Sequence, residues 1–310
     1  MNKYRGKKSG EFENNQYIGA FADISFEIIS ESEYGEEKLL FETRIHYYEK
    51  GTGDALILLH GLGQSLYTWR HNIDYFAANG FRVIALDLAG FGYSGHPNIY
   101  YTIEENILIL RAFMKTMKIN RAHIAGVSTG AQTALFFAAN HPKYTNKLIL
   151  ITPGAPNENY PFLLKLLTTW FGAAFLRLAL RETTFKKVLN EFYFNATLLT
   201  ADTVNQYYAP YKNKSTRETL IRYMNNYDDS IIAPLLKNIS NNTLIFSGAD
   251  DRRHSEKEIC MYAQKLRSAR HYRLRNCAQN VQEEKPDIFN TKSLEFLKTD
   301  DDTAGFWTRG

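Results

Sequence analysis

Residues 121–131, RAHIAGVSTGA, contain the stretch that decides the fold. The apolar run 122–127 predicts a buried strand, and a helical pattern begins directly after it. Between them lies the motif Gly-x-Ser-x-Gly, with Ser128 at its centre. The turn needs small neighbours, because a side chain at Gly126 or Gly130 would collide with nearby backbone. This context predicts a nucleophile elbow that exposes the Ser128 hydroxyl at a helix N-terminus.

The sequence HGLG, which begins at His60, follows the apolar run ALILL. A loop of this kind supplies backbone N–H groups to a developing oxyanion. We expect the N–H groups of Leu62 and Thr129 to form this oxyanion hole. His60 is expected to anchor the loop through backbone hydrogen bonds and not to act as a base. We place His60 and Gly61 at the edge of the substrate pocket.

Two further loops follow apolar runs. The segment DLAGFGYS, residues 87–94, has glycines that fit a tight loop, and we place its Tyr93 near the substrate. The segment TLIFSGADD, residues 243–251, ends in two aspartates. A carboxylate on such a loop can orient a base and stabilise its charged form. The spacing from the glycine favours Asp251 for this role, whereas Asp250 is interpreted as a solvated turn residue.

Strand and helix patterns alternate along most of the chain. The first strands follow each other without helices, which predicts antiparallel pairing, and the later ones are separated by helices, which predicts parallel pairing. The predicted strands are 22–29, 43–49, 55–59, 82–86, 122–127, 147–151, 243–247 and 270–275. The predicted helices include 102–117, 130–140, 256–268 and a last one that begins at Pro286.

A long helical segment rich in aromatic residues interrupts this alternation. It predicts a cap inserted after the sixth strand, over the strand ends at which α/β folds bind ligands. We expect most of its aromatic side chains to pack the cap onto the sheet, and we assign Trp170 and Tyr207 to the substrate pocket. The predicted division is a loose tail at 1–17, a core at 18–152 and 236–298, a cap at 153–235 and a C-terminal tail at 299–310.

Taken together, these loops resemble the α/β-hydrolase superfamily. HGLG, DLAGFGYS, GVSTGA, GADD and the closing RNCAQNVQEEKP occur in the superfamily's order over about residues 22–298. The resemblance implies an α/β fold: a mostly parallel eight-stranded sheet with antiparallel N-terminal strands and helices on both faces. It also implies a catalytic triad in the order Ser, Asp, His, which carries over to Ser128 and Asp251. In the loop after the last strand, this chain has Gln279 where relatives have histidine.

The glutamine changes the chemistry that the resemblance implies. A carboxamide does not titrate near neutral pH, so Gln279 cannot take the proton of Ser128, although it can hydrogen-bond to both Ser128 and Asp251. Another histidine, His254, lies three residues past Asp251. It is the candidate for a substitute base.

The sequence therefore predicts an enzyme that acts on an ester, thioester or lactone carbonyl of a bulky apolar molecule, with hydrolysis impaired by Gln279. One alternative is a non-hydrolytic cyclase, lyase or isomerase that uses Ser128 and Gln279 as hydrogen-bonding groups. A catalytically dead ligand-binding protein and an engineered His-to-Gln variant also stay open at this point.

Composition excludes several other classes of protein. The 310 residues are 44% apolar and 23% charged, which suits a large globular core. A net charge of +4 from scattered groups does not indicate a nucleic-acid partner. Without paired histidines, CxxC or a phosphate-binding glycine motif, we predict no metal and no cofactor. We expect a small-molecule substrate and a cytoplasmic location; the sequence is silent on oligomeric state.

The most apolar stretch, residues 162–180, reaches the length of a membrane span. It contains Lys165 and Arg177, and a charge near the bilayer centre costs about 2.5–3.5 kcal/mol on insertion scales. We therefore predict buried cap helices there and no stable membrane span.

Overall fold

A computed structural model describes residues 19–32, 35–154, 181–226, 228 and 230–299. Its sheet has eight strands in the order β1-β2-β4-β3-β5-β6-β7-β8. β1 and β2 form an antiparallel hairpin, β2 pairs antiparallel with β4, and the remaining pairings are parallel. The strands are β1 Ala20–Ser32, β2 Gly35–Lys50, β3 Asp54–Leu59, β4 Phe81–Leu86, β5 Ala122–Val127, β6 Thr145–Ile151, β7 Thr243–Gly248 and β8 Ala269–Leu274.

Local sequence signals start several of the helices. Thr102 and Ser255 accept hydrogen bonds from the N–H groups of Glu105 and Glu258, whose carboxylates bond back to the caps. Pro286 begins the last helix, where its missing N–H costs nothing. In the described part of the chain the α-helices are α1 Ile73–Ala78, α2 Ile103–Thr116, α3 Thr129–Asn140, α4 Glu182–Asn190, α5 Ala201–Tyr208, α6 Lys214–Asn226, α7 Glu256–Lys265, α8 Val281–Glu284 and α9 Pro286–Lys298.

Both faces of the sheet are covered, as the sequence predicts. Side chains alternate along each strand, so Ile57 and Leu59 of β3 enter one apolar core while Leu56 and Leu58 enter the other. The first core includes apolar residues of α2 and α3, and the second includes those of α1 and α9. Burial on both faces explains why the central strands are continuous apolar runs without polar alternation.

The predicted fold class is confirmed, with two boundaries corrected. β2 begins at Gly35 and not at residue 43, because its first residues pair with β1 although their side chains are exposed and lack apolar alternation. The helix predicted at 256–268 ends at Lys265, because the backbone of Leu266 turns to an extended conformation.

Helices α4, α5 and α6 lie between β6 and β7, so a helical insertion follows the sixth strand. The residues 155–180, which include Trp170 and the first part of the candidate cap, lie outside the described part of the chain, as does the apolar stretch 162–180. Within the described residues, no helix combines the length and the apolar character that a membrane span requires. The domain boundaries stay a prediction.

A buried carboxylate connects the inserted helices to the core. The side chain of Glu283, in α8, is fully buried and forms an ion pair with Arg70. It also accepts hydrogen bonds from the hydroxyls of Thr68, at 2.7 Å, and Tyr207, at 2.6 Å. Burial, reinforced by the charge of Glu283, raises the pKa of Tyr207 well above its usual value, so this cap tyrosine stays neutral and donates.

Removal of this carboxylate should destabilise the protein strongly. Glu283→Ala leaves Arg70 charged and unpaired in the interior, and we expect the free energy of unfolding to fall by about 3–5 kcal/mol. Urea denaturation measures the change. Glu295→Ala is the matched control, because Glu295 pairs with Lys292 at 2.8 Å on the exposed surface, and we expect little change there. Equal losses in the two variants would contradict the prediction.

Candidate active site

Ser128 stands on a strained turn between β5 and α3. Its backbone has φ 51° and ψ −117°, in a region that side chains rarely adopt. Its N–H donates to the carbonyl of Ile151 at 2.9 Å, which fixes the turn against β6. A Cβ atom at Gly126 would collide with the carbonyl of Gly130 and lie 2.6 Å from the nitrogen of Ala131. Gly126 therefore lets β5 and α3 approach closely enough to hold the serine in this conformation, and Gly130 lets the helix lie against the carbonyls of Leu59 and His60.

The loop after β3 lies directly against this turn. A Cβ atom at Gly61 would lie 3.4 Å from Cβ of Ser128. The loop is closed by two hydrogen bonds, from Gly61 N to Oε1 of Gln64 at 3.0 Å and from Gln64 N to the Gly61 carbonyl at 3.1 Å. Neither bond uses the N–H of Leu62. Thr129 is the first residue of α3, where backbone N–H groups have no partner within the helix.

His60 is fully buried and holds the loop from below. Its Nδ1 donates to the Gly61 carbonyl at 2.8 Å, and its Nε2 accepts the N–H of Leu88 at 2.9 Å. Burial lowers the pKa of His60, which favours the neutral ring that this pattern requires. Since the backbone engages both ring nitrogens, His60 shapes the loop and has neither nitrogen free to act as a base.

The acid loop after β7 contains a second histidine beside its aspartate. Oδ2 of Asp251 lies 3.0 Å from Nδ1 of His254, and Oδ1 accepts the N–H of Arg253 at 2.8 Å. The side chains of Asp251 and His254 are 3% and 2% exposed. Asp250 is exposed, and its N–H donates to the carbonyl of Cys277 at 3.0 Å. The aspartate that the sequence favours is thus the one that orients a ring nitrogen.

Gln279 lies on a loop that crosses the carboxyl end of β7. A Cβ atom at Gly248 would collide with the carbonyl of Ala278, so the two backbones are in direct contact. Gln279 is buried, and its Oε1 has no hydrogen-bond partner among the described residues. The next residue, Asn280, accepts a hydrogen bond from Nε2 of Gln64 at 2.9 Å. The loop of Gln279 is therefore attached to both the loop after β7 and the loop after β3.

The remaining predicted pocket residues lie at different depths. Tyr93 is 46% exposed, and the edge of its ring lies against His46, 5.5 Å between ring centroids. Tyr207, which we assign to the substrate pocket from the sequence, is buried and its hydroxyl donates to Glu283, so this side chain packs against the core; its place in the pocket stays a prediction. Among the described residues no cluster of three or more His, Cys, Asp or Glu side chains could hold a metal ion.

Tyr211 is a site residue that sequence reasoning missed. It lies in a 3-10 turn, Ala209–Lys212, directly after α5. A Cβ atom at Gly63 would lie 3.1 Å from its hydroxyl, which is buried and has no partner in the described part of the chain. Burial raises the pKa of Tyr211, so the hydroxyl stays protonated above the loop that follows β3. The sequence has no signal that separates it from the neighbouring Tyr207 and Tyr208.

With this geometry established, the chain can be compared with known proteins. A family model described as alpha/beta hydrolase fold matches residues 54–286. The chain belongs to this family. It is 30% identical over 279 residues to a 2-hydroxy-6-oxo-6-phenylhexa-2,4-dienoate hydrolase of Burkholderia cepacia, an alignment that covers 84% of this chain and 93% of that protein. The family and its named hydrolases identify the chain as an α/β-hydrolase-type enzyme.

Another relative matches over a shorter region. It is a 2-hydroxy-6-oxononadienedioate/2-hydroxy-6-oxononatrienedioate hydrolase of Burkholderia vietnamiensis (strain G4 / LMG 22486), 35% identical over 173 residues. That alignment covers 52% of this chain and 57% of the relative, so it spans little more than half of either.

Solved structures share the fold. The meta-cleavage product hydrolase from Pseudomonas fluorescens IP01 superposes with a TM-score of 0.72 and 21% identity, covering 82% of this chain and 94% of that one. An enol-lactonase from Burkholderia xenovorans LB400 gives a TM-score of 0.67 and 23% identity, covering 83% and 97%. At these identities, the structural similarity shows a shared fold and nothing further.

Gly126→Ala tests how tightly the serine turn is packed. The added methyl group meets backbone atoms, which cannot move aside as a flexible side chain would, and we expect a loss of about 1–3 kcal/mol in the free energy of unfolding. Chemical denaturation of the natural and variant chains measures it. Unchanged stability would show that β5 and α3 do not approach as closely as the structure has them.

Proposed function

We propose that the chain is a serine-dependent hydrolase that acts on the carbonyl group of a bulky, apolar small molecule. One observation carries the proposal: Ser128 is held at a positive φ at the start of α3, with the loop of Leu62 packed against it. A strained nucleophile beside the backbone N–H groups of Leu62 and Thr129 is the arrangement that acyl transfer needs. We include the cytoplasmic location in this proposal.

The residues have separate roles in the proposed reaction. Oγ of Ser128 attacks the carbonyl carbon, and the N–H groups of Leu62 and Thr129 donate to the oxygen as it becomes negative. Loss of one such donor typically lowers the rate by about 10²–10³-fold. Asp251 orients a base, and the amide of Gln279 can hydrogen-bond but cannot accept the proton of Ser128. Hydrolysis is therefore slower than in a chain with histidine at this position.

The relatives suggest one class of carbonyl compound. The name 2-hydroxy-6-oxo-6-phenylhexa-2,4-dienoate describes a ketone with a conjugated chain, a carboxylate and a phenyl group. We extend our substrate class of esters, thioesters and lactones to such conjugated ketones. Support comes from the aromatic character of the inserted helices, in which Phe185, Tyr207 and Tyr211 are buried.

Ser128→Ala tests the nucleophile. We expect loss of turnover by at least about 10²-fold on a panel of chromogenic esters, thioesters and 2-hydroxy-6-oxo-6-phenylhexa-2,4-dienoate, because removal of a catalytic nucleophile costs at least this much. Covalent labelling by a fluorophosphonate, measured by intact mass, should disappear in the same variant. If Ser128→Ala keeps both activities, the proposal is wrong.

Gln279→His tests the role of the glutamine. A positioned general base contributes about 10²–10⁴-fold, so we expect kcat on the same esters to rise by about 10²-fold or more. Gln279→Asn is the control, because it keeps an amide and adds no base, and we expect no rise. A gain in both variants would attribute the effect to space in the pocket and not to proton transfer.

One observation favours a second candidate, a lyase or isomerase on the same scaffold. Oε1 of Gln279 is buried without a partner in the described structure, and such an oxygen can accept a hydrogen bond from an enol or hydroxyl of a substrate. Turnover that survives Ser128→Ala and falls in Gln279→Ala would support this candidate over hydrolysis.

A further inference from the structure

We propose that His254 is the general base of this site and supplies part of the proton transfer that a histidine in place of Gln279 would supply in full. The inference rests on the proposed role of Ser128 as nucleophile. It assigns acceptance of the Ser128 proton to a residue of the loop after β7, whereas the resemblance implies that a residue of the loop after β8 has this role.

The orientation of the ring is that of a catalytic base. In Ser-His-Asp triads, the aspartate holds Nδ1–H of the histidine and leaves Nε2 to exchange the proton. Here Nδ1 of His254 lies 3.0 Å from Oδ2 of Asp251, and the backbone N–H of His254 also faces Oδ1 of the same residue, at 3.4 Å. The aspartate therefore fixes the direction of the ring and leaves Nε2 on the side away from it.

The order of strands places this ring between the aspartate and the serine. Ser128, Gly154 and Asp251 follow the carboxyl ends of β5, β6 and β7, which are neighbours in the sheet. Strands lie about 4.8 Å apart, so the ends of β5 and β7 are separated by roughly 10 Å. A Cβ atom at Gly154 would touch Cδ2 of His254 and lie 3.2 Å from its Nε2. The imidazole thus extends from the β7 side across the end of β6.

Nε2 of His254 is a buried nitrogen without a hydrogen-bond partner in the described part of the chain. An orphaned polar atom of this kind in a folded interior indicates a position that water or a ligand occupies. Two oxygens near the same strand ends are also buried without a hydrogen-bond partner among the described residues, Oγ1 of Thr152 and Oε1 of Gln279.

These positions define the proton path. As Oγ of Ser128 attacks the carbonyl carbon, its proton passes to Nε2 of His254, directly or through one water, and the π electron pair of the carbonyl moves to the oxygen. Collapse of the intermediate breaks the bond to the leaving group, which takes the proton from the imidazolium. Water then attacks the acyl-enzyme, its proton goes to Nε2, the acid leaves, and Oγ of Ser128 recovers the proton.

The second-order rate of fluorophosphonate labelling reports how strongly Ser128 is activated. We expect His254→Gln to lower this rate by about 10²-fold, the lower end of a general-base contribution. His123→Gln is the matched control: His123 is also buried, but it lies in β5 near the opposite end of the sheet, and we expect an unchanged rate. Thermal unfolding curves identify a temperature at which all variants are folded, and the labelling rates are compared at that temperature. A rate in His254→Gln equal to that of the natural chain overturns the proposal.

The substitution His254→Gln, repeated in the Gln279→His variant, distinguishes a role of His254 as a base from a purely structural role. Histidine at 279 supplies a second base, so we expect His254→Gln to cost only a few-fold there, a strong departure from additivity between the two sites. An equal loss in both backgrounds would mean that His254 merely supports the loop, and would overturn the proposal. Added imidazole should also restore labelling in His254→Ala, whereas a failure of rescue counts against the proposal.

The two proposals fail in different ways. If the natural chain is not labelled at all, Ser128 is not an activated nucleophile and both proposals are wrong. If labelling occurs, disappears in Ser128→Ala and is unchanged in His254→Gln, the proposed function stands and the role of His254 alone is wrong.

Discussion

The parallel pairing of β5, β6 and β7 is the constraint on which the site depends. Because the three strands run in register and end at the same edge, Ser128, Gly154 and Asp251 leave the sheet side by side. The hydrogen-bond ladder fixes the spacing of the strand ends, from which the loops of Gly154 and Asp251 begin. The strained turn at Ser128 persists because the bond to the Ile151 carbonyl and the contacts of Gly126 determine it from both sides.

Local rules of the chain explain what the sequence could predict. Gly126 and Gly130 indicate the tight turn because their requirement for space is steric, and the apolar runs indicate the strands because both faces of the sheet are buried. Local rules of this kind do not predict contacts between segments that are distant in the sequence. Nothing in the sequence places the Tyr211 hydroxyl above Gly63, because that contact is made by two segments nearly 150 residues apart.

The position of His254 is predicted in part by a local sequence signal and in part by contacts between distant segments. Its separation of three residues from Asp251 makes it a candidate base in the sequence, and the structure shows the two side chains in contact. The position of Nε2 across β6 follows from the strand order and from the absence of a side chain at Gly154, so it could not be derived from the spacing alone. The exposed early part of β2 escaped prediction for a related reason, since its pairing with β1 does not depend on a buried face.

Three contacts hold the loop of Gln279 in place. The backbone of Ala278 packs directly against Gly248, and the side chain of Asn280 accepts a hydrogen bond from Gln64. The carboxylate of Glu284 accepts the N–H of Ala278 at 2.7 Å. The backbone therefore keeps its course whichever side chain stands at 279. Glutamine and histidine codons differ by one base at the third position. A single point mutation therefore exchanges an amide for an imidazole on a loop whose backbone contacts do not involve that side chain.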